Sequence, residues 1–533
     1  SPITNTTTLI EANLRQQNAL VALQMKNFEE AERLVEALLP VRENLVTKQG
    51  SKGLSKEEKK LAKAQLGALY TLKGSIYTER GDYEQANAIF SKHNKRVRSL
   101  VGVTHPIYLA HLMAIGENYD GQEAYAKATD YYNMAQRANE YYDDTYRRSS
   151  KLYMRLQENI ARNTILRSKS YLVQRVEFNR LRRDAKKFFG EDAIPYLRAQ
   201  IIQIEQQIAR KKYQEAQQAL TDILAKEEVL PADHEMRAYA MELLAGLYIK
   251  NEANLTQMDE VHQEWMQVQA GRYPETSFAY KEAQIKLGHY YAEYSDAFKE
   301  ATKIFDSIPF TVVQKQLSPT QKDYVLLSNY YAQYFVTIGA YKEAESLLEN
   351  TLKLATAKYD EEDERLISQL SALADVNVKL GAYKQAEFYT NRALEIIQKN
   401  FPTESPAYAA GIAQMASLYG IIGNYQEAER LLRQSNEIYR KLEKDEAILA
   451  EYNLEALKSE SIEQLAEIYV RIGDYSNTEQ LLNEDLTLKE KKYGTQSRKL
   501  IRPVSQLAYL NLIKGNYDMA EEQVVRAEKI IVE

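Results

Sequence analysis

The stretch Gly381-Ala382-Tyr383-Lys384-Gln385-Ala386 carries a phrase, Gly-x-Tyr-x-x-Ala, that recurs along the chain and decides its fold. Tyr341, Tyr383 and Tyr425, the central residues of three consecutive copies, lie 42 residues apart. A phrase that returns at such an interval is typical of a repeat architecture. With weaker copies that lack the glycine, and two inferred from spacing around Tyr171 and Asn254, the copies centre on Phe28, Tyr83, Tyr125, Tyr171, Tyr213, Asn254, Phe298, Tyr341, Tyr383, Tyr425, Tyr475 and Tyr517.

Each part of the phrase predicts one part of a helical hairpin. The glycine supplies a left-handed residue that ends the first helix. In most copies a small residue lies nine positions before the central aromatic and another lies three positions after it, as Ala374 and Ala386 do around Tyr383. These small residues allow two helix backbones to approach closely, and we expect the aromatic to fill the corner between them. Each copy therefore predicts two antiparallel helices that share one apolar face.

The composition agrees with helices and excludes several classes of site. The 533 residues include 20 glycines and 11 prolines, a low content for a turn-rich β-sandwich or barrel. Cysteine is absent, which excludes disulfides, thiolate metal sites and a cysteine nucleophile. No run approaches 18 apolar residues, so we expect no membrane insertion. A soluble, cytoplasmic protein is favoured, but the chain starts at Ser1, and a processed or trimmed secreted form stays open.

The repeat resembles the tetratricopeptide repeat, in the long-period variety found in kinesin light chain and in many bacterial proteins. His105-Pro106 and Ser405-Pro406 are similar to the linkers that open such units. The resemblance implies an all-α fold, a right-handed helical-hairpin solenoid of about twelve units. Within one continuous solenoid we predict N-terminal helical repeats over 1–146, degenerate basic repeats over 147–270 and regular repeats over 271–533.

Motifs of catalysis and of cofactor binding are missing from the sequence. It contains no glycine-rich phosphate loop and no G-x-S-x-G elbow, and its six histidines form no H-E-x-x-H pair. The acidic run from Asp360 to Glu364 lacks the glycine and spacing of a calcium loop, and it is interpreted as the start of a helix. His105 is interpreted as a helix cap before Pro106. We therefore predict a protein without enzymatic activity, cofactor or metal.

The resemblance implies a function in protein–protein interaction. In the tetratricopeptide family the first helices of successive hairpins line a concave surface that receives a peptide or a partner helix. The chain is also rich in tyrosine, with 40 residues, which suits either interhelix corners or a groove that grips a polypeptide. Transferred by offset from the central aromatic, the predicted concave face consists of Asn159, Asn163, Asn329, Gln333, Ser371, Asp375, Ser417, Glu463, Glu467 and Tyr509.

A second hypothesis makes the array the sensing half of a larger enzyme. Similar long-period arrays in bacteria often precede a protease-like or nucleotide-switch domain. The sequence stops in the middle of a predicted helix at Glu533, which motivates this alternative. In both hypotheses the part of the protein in hand binds a partner and carries no catalytic residues.

One segment is strongly basic although the chain as a whole has a net charge of −6. Between Arg147 and Lys187 thirteen lysines or arginines accompany three acids. Four of the basic residues recur at intervals of seven and so form a stripe along one helical face. The stripe either meets acidic surface elsewhere in the array or docks an acidic protein segment, with nucleic acid as an unlikely ligand. Its members are Arg148, Arg155, Arg162 and Lys169.

Overall fold

The computed structural model describes residues 5–141, 150–167, 171–209, 212–231, 233–250, 255–295, 297–444 and 454–532. Every regular element in these ranges is helical, which confirms the predicted all-α class. The chain divides into two compact units, Ser1–Thr337 and Ile338–Glu533.

The first unit contains sixteen described helices. The helices α1 to α14 form seven hairpins of a first and a second arm, second arms also pack against the next first arm, and after the short α15 the helix α16 is a further first arm. They are α1 (Asn5–Gln24), α2 (Phe28–Leu45), α3 (Lys56–Arg80), α4 (Tyr83–Val101), α5 (Pro106–Gly121), α6 (Tyr125–Asn139), α7 (Lys151–Arg167), α8 (Tyr171–Phe189), α9 (Ile194–Ala209), α10 (Tyr213–Leu224), α11 (Glu235–Lys250), α12 (Leu255–Arg272), α13 (Phe278–Glu293), α14 (Phe298–Ser307), α15 (Thr311–Gln316) and α16 (Lys322–Thr337).

The second unit contains nine described helices. Four hairpins follow the helix α17, and 3₁₀ turns at Glu364–Leu366 and Arg498–Leu500 precede two of them. The helices are α17 (Tyr341–Lys358), α18 (Ile367–Lys379), α19 (Tyr383–Asn400), α20 (Pro406–Ile421), α21 (Tyr425–Leu442), α22 (Leu454–Ile472), α23 (Tyr475–Tyr493), α24 (Ile501–Lys514) and α25 (Tyr517–Val532).

The predicted repeat centres mark the starts of helices. Eleven of the twelve central residues are the first residue of a helix, from Phe28 in α2 to Tyr517 in α25. The twelfth, Asn254, lies outside the described residues. The glycine of the phrase has the left-handed conformation that was predicted for it, with φ of +94° at Gly81 and +72° at Gly381. The phrase therefore locates the hairpin turns to the residue.

Two weaker copies keep the left-handed residue without a glycine. Lys26 and Glu123 stand two positions before Phe28 and Tyr125, and their φ angles are +54° and +61°. A left-handed backbone costs a residue with a Cβ about 1 to 2 kcal/mol. The turn geometry is thus retained even where the sequence signal that predicts it is absent.

The small residues are the closest contacts of each hairpin, as predicted. The residue three positions after the centre is fully buried in most copies, with 0% exposure at Ala86, Ala386 and Ala428. The residue nine positions before the centre is also buried, and a Cβ built at Gly74 would lie 2.4 Å from the ring of Phe90. Backbones at this separation leave no room for a larger side chain.

The expected role of the central aromatic is wrong in part. Tyr383 is 43% exposed and Tyr517 is 68% exposed, so neither fills the corner. The corner is filled by the residue seven positions after the centre, since Phe90 lies against Gly74 and Tyr132 lies against Gly116. Where the first arm has Ala416, the matching residue is the smaller Leu432, which is buried in the same cluster. A larger side chain thus accompanies glycine and a smaller one accompanies alanine.

The first unit closes on itself through contacts that the repeat does not predict. The turn between α1 and α2 meets the start of α13, where Ala279 donates a backbone hydrogen bond to the carbonyl of Met25 at 3.1 Å. The turn between α3 and α4 meets the approach to α16, where Ser318 donates to the carbonyl of Arg80 at 2.8 Å. These partners lie more than 230 residues apart in sequence, so the first hairpins are fastened to much later ones.

Charged side chains strengthen the same closure. Lys26 lies 2.5 Å from the carboxylate of Glu282, which is 5% exposed. Lys286 lies 3.3 Å from Glu282 and 2.6 Å from Glu242 on α11. Burial lowers the pKa of Lys26, but the nearby carboxylates of Glu282 and Asp323 raise it more, so the net direction is upward. The cluster therefore holds its charges in a place that water reaches poorly.

The closure predicts unequal costs for two glycine substitutions. Both Gly81→Ala and Gly381→Ala place a Cβ on a left-handed backbone, at a cost of about 1 to 2 kcal/mol. A Cβ at Gly81 would also lie 2.4 Å from the Cβ of Gln321, whereas a Cβ at Gly381 meets nothing within 4 Å. We expect Gly81→Ala to lose about 1 to 3 kcal/mol more in chemical denaturation. Equal losses would contradict the contact between the Gly81 turn and Gln321.

The hairpin interior predicts a second difference. Ala428→Leu inserts three carbons where Ala428 is 0% exposed, and overpacking of this kind costs about 1 to 3 kcal/mol or more. The neighbouring Glu427→Ala removes only an exposed ion pair with Arg430 and should change the free energy of unfolding by less than about 0.5 kcal/mol. Thermal melts of the two variants compare them, and equal effects would place Ala428 outside the interior.

Candidate partner-binding groove

The first arms α18, α20 and α22 enclose a groove in the second unit. It has a volume of about 540 Å³ and opens between the three helices. Asp375 and Ser417, both predicted as concave-face residues, line it. Each helix contributes residues spaced by three or four positions, which lie on one helical face. The polar lining residues are Asp375, Lys379, Thr390, Gln414, Ser417, Glu460, Ser461 and Gln464.

Hydrogen bonds join two of the first arms at the groove. The Ser371 hydroxyl on α18 donates to Gln414 Oε1 on α20 at 3.0 Å. The Gln414 side chain is also hydrogen bonded to Asp375. Burial raises the pKa of Asp375, and the negative charge of Glu460 raises it further, against the lowering effect of Gln414 and Lys379. The carboxyl group of Asp375 is therefore poorly compensated by its surroundings.

Three other residues of the predicted concave face lie on α22 and α24. Glu463 is 4% exposed, and its carboxylate lies 2.6 Å from Lys489 and 3.0 Å from Arg502. Glu467 pairs with Arg471 at 2.8 Å on its own helix. Tyr509 on α24 is 57% exposed. Of these, Tyr509 presents the largest open surface to a partner.

The predicted residues of the first unit are largely engaged within the array. Asn163 is 2% exposed and donates to Asp120 at 2.7 Å, while its oxygen accepts from Thr129. Asn159 donates to Glu117 at 2.8 Å. These amides join successive hairpins, and Asn163 also donates to the carbonyl of Tyr125 at 3.1 Å, so its hydrogen-bonding capacity is already used.

Two more predicted residues lie on α16. Gln333 donates to Glu293 on α13 at 2.6 Å, and Asn329 is half-buried. The bond from Gln333 again joins one first arm to another.

The basic stripe belongs to the same pattern of contacts. Arg155 lies 2.9 Å from Glu117 on α5, and Arg162 lies 2.8 Å from Glu205 on α9. The charge of Glu117 raises the pKa of Arg155. Each described arginine therefore meets an acid on a neighbouring first arm, about one repeat away in sequence. The other predicted members, Arg148 and Lys169, lie outside the described residues.

The other singled-out residues have structural roles. His105 caps α5, since its Nδ1 accepts from the backbone NH of Ile107 at 3.1 Å, as predicted. Asp363 in the acidic run caps the 3₁₀ turn at Glu364–Leu366, which agrees with the predicted helix start.

Burial lowers the pKa of His111 to about 4, and its ring is hydrogen bonded to Thr71 at 2.8 Å.

No group of three or more histidine, aspartate or glutamate side chains that could hold a metal ion occurs among the described residues. Within the same residues, no helix is long and apolar enough to cross a membrane.

The fold defines the class of the protein. Antiparallel helical hairpins, small residues at the interhelix contacts and a left-handed residue at the turn make it an array of tetratricopeptide-type hairpins, as the sequence predicted. No protein-family model matches the sequence, and no curated protein matches it.

Several solved structures are similar in fold. The putative kinesin light chain repeats of Podosopora anserina are 21% identical with a TM-score of 0.32, over 38% of this chain and 92% of that one. Cut9 in its complex with Hcn1 is 14% identical with a TM-score of 0.43, over 99% and 95% of the two chains. A Rap protein complexed with competence and sporulation factor is 14% identical with a TM-score of 0.43, over 79% and 97%.

The pairing of the stripe can be tested by reversing charges. Arg162→Glu would place two carboxylates together at Glu205 and should lower the free energy of unfolding by about 1 kcal/mol. Adding Glu205→Arg should recover most of that loss, because the pair is restored in reverse. Chemical denaturation of the single and double variants measures the coupling. If the change in the free energy of unfolding of the double variant equals the sum of the two single changes, the pair contributes nothing.

Proposed function

We propose that the chain is a non-enzymatic interaction scaffold that binds a polypeptide partner on its first arms, at the groove between α18, α20 and α22. The observation that supports this best is the groove itself, which has a volume of about 540 Å³ and is lined by both polar and apolar groups. Such a mixture suits a peptide, whose backbone needs hydrogen bonds and whose side chains need contact area.

The proposal favours the second unit over the first. In the first unit the predicted face is occupied by contacts between hairpins, including those of Asn163 and Arg162. In the second unit Asp375 and Glu460 lie in the groove, and the described residues place no cation within 4 Å of either carboxylate. We include Ser371, Asp375, Ser417 and the exposed Tyr509 in the proposed binding face, with Glu463 and Glu467 beside it.

The test is to fill the groove. Ser417→Trp places an indole among the lining residues and should abolish the capture of groove-binding peptides from a displayed library of random linear peptides. Gln426→Trp is the matched control, because Gln426 is exposed on the second arm α21. Circular dichroism should show both variants folded with similar melting temperatures. If the Ser417→Trp protein captures the same peptides at full strength, the partner does not bind in this groove.

A further inference from the structure

The groove is rich in hydrogen-bond acceptors. Asp375 on α18 and Glu460 on α22 are both exposed in it, and Lys379 is the sole cation among the lining residues. Gln464 adds an acceptor, because its Oε1 atom is buried and has no hydrogen-bond partner in the described part of the chain. Two carboxylates and one lysine leave one negative charge without a counterion.

One amide beside these acceptors is already engaged. The Gln414 side chain is hydrogen bonded to Asp375 and also accepts from Ser371. Even with this bond the pKa of Asp375 is raised, first because the surrounding protein atoms partly exclude water from its carboxyl group although the residue faces the groove, and then because Glu460 adds negative charge. A ligand that brings a positive charge and several donors would therefore be stabilised here.

The walls of the groove suit a long aliphatic stem. Val378, Ile421 and Leu457 line it, one from each of the three first arms. Arginine and lysine commonly bury their methylene groups along apolar surface while the charged group reaches polar partners. The groove thus offers an apolar wall for the methylene groups of such a side chain and acceptors for its charged group.

We propose that the groove binds an arginine side chain of the partner polypeptide, with its guanidinium group between Asp375 and Glu460. This inference rests on the proposed function, since it names the side chain that the same groove recognises. The guanidinium group is planar and carries five donors, which match several acceptors at once. The ammonium group of lysine is a point charge with three donors and satisfies fewer of them. Binding brings the net charge of the groove to zero.

The experiment uses peptides that the whole chain selects from the displayed random library and that the Ser417→Trp variant fails to capture. We expect these peptides to share an arginine. Replacing that arginine by citrulline, which keeps the shape and removes the charge, should weaken binding at least about tenfold in isothermal titration calorimetry. Replacing it by lysine should weaken binding several-fold.

Variants of the protein complete the test. Asp375→Asn and Glu460→Gln should each weaken the arginine peptide about tenfold and leave the citrulline peptide nearly unaffected. Glu437→Gln is the control, because Glu437 is an exposed acid on α21 outside the groove. Melting temperatures verify that each variant is folded.

The outcomes separate the two proposals. Peptides that depend on the groove but share no arginine, or bind Asp375→Asn and Glu460→Gln at full strength, overturn the arginine site and leave the proposed function standing. Equal affinity for the lysine and arginine peptides also overturns it, because the planar group then has no role. If no captured peptide depends on the groove, the proposed function fails and the arginine site fails with it.

Discussion

The structure depends on the close approach of two helix backbones at small residues. At Ala386, and at the matching Ala428 one repeat later, the second arm meets the first with no exposed surface left between them. The distance set there limits the volume of the corner, which Phe90 fills against Gly74 and Tyr132 fills against Gly116. Hairpins of similar shape then stack in sequence, because each buries its apolar face only against its neighbours. The groove between three first arms is a consequence of this stacking.

The hairpins were predictable because their determinants are local. Gly381 and Tyr383 act within a few residues of each other, and the left-handed turn follows from a single glycine. The closure of the first unit was not predictable in this way. Gly81 packs on Gln321, which lies several hairpins later in the chain, and no pattern within one repeat records that contact.

The candidate site shows the same difference between local determinants and contacts that are distant in sequence. The offset from the central aromatic selected Asp375 and Ser417, and both line the groove of the second unit. It could not distinguish them from Asn163, which has an equivalent offset but is buried by its bonds to Asp120 and Thr129. For the basic stripe, the three acids between Arg147 and Lys187 do not include Glu205, the partner of Arg162, since that acid lies 43 residues away. In a repeat protein, ion pairs form between residues about one repeat apart as well as between residues one helical turn apart.

The charge cluster around Glu282 makes the stability of the first unit depend on pH. Burial raises the pKa of Glu282, but Lys26 and Lys286 lower it more, so the net direction is downward. A carboxyl group with a lowered pKa in the folded state stabilises that state above its unfolded pKa, and the contribution is lost as pH falls through the folded value. Because Glu282 joins α13 to the turn between α1 and α2, its protonation weakens the fastening of the first hairpins to the later ones. The groove residues Asp375 and Glu460 belong to the other unit, and the pKa of Asp375 is raised. Acidification therefore acts on two separate places: protonation of Glu282 weakens the closing cluster of the first unit, and protonation of Asp375 removes negative charge from the groove of the second unit.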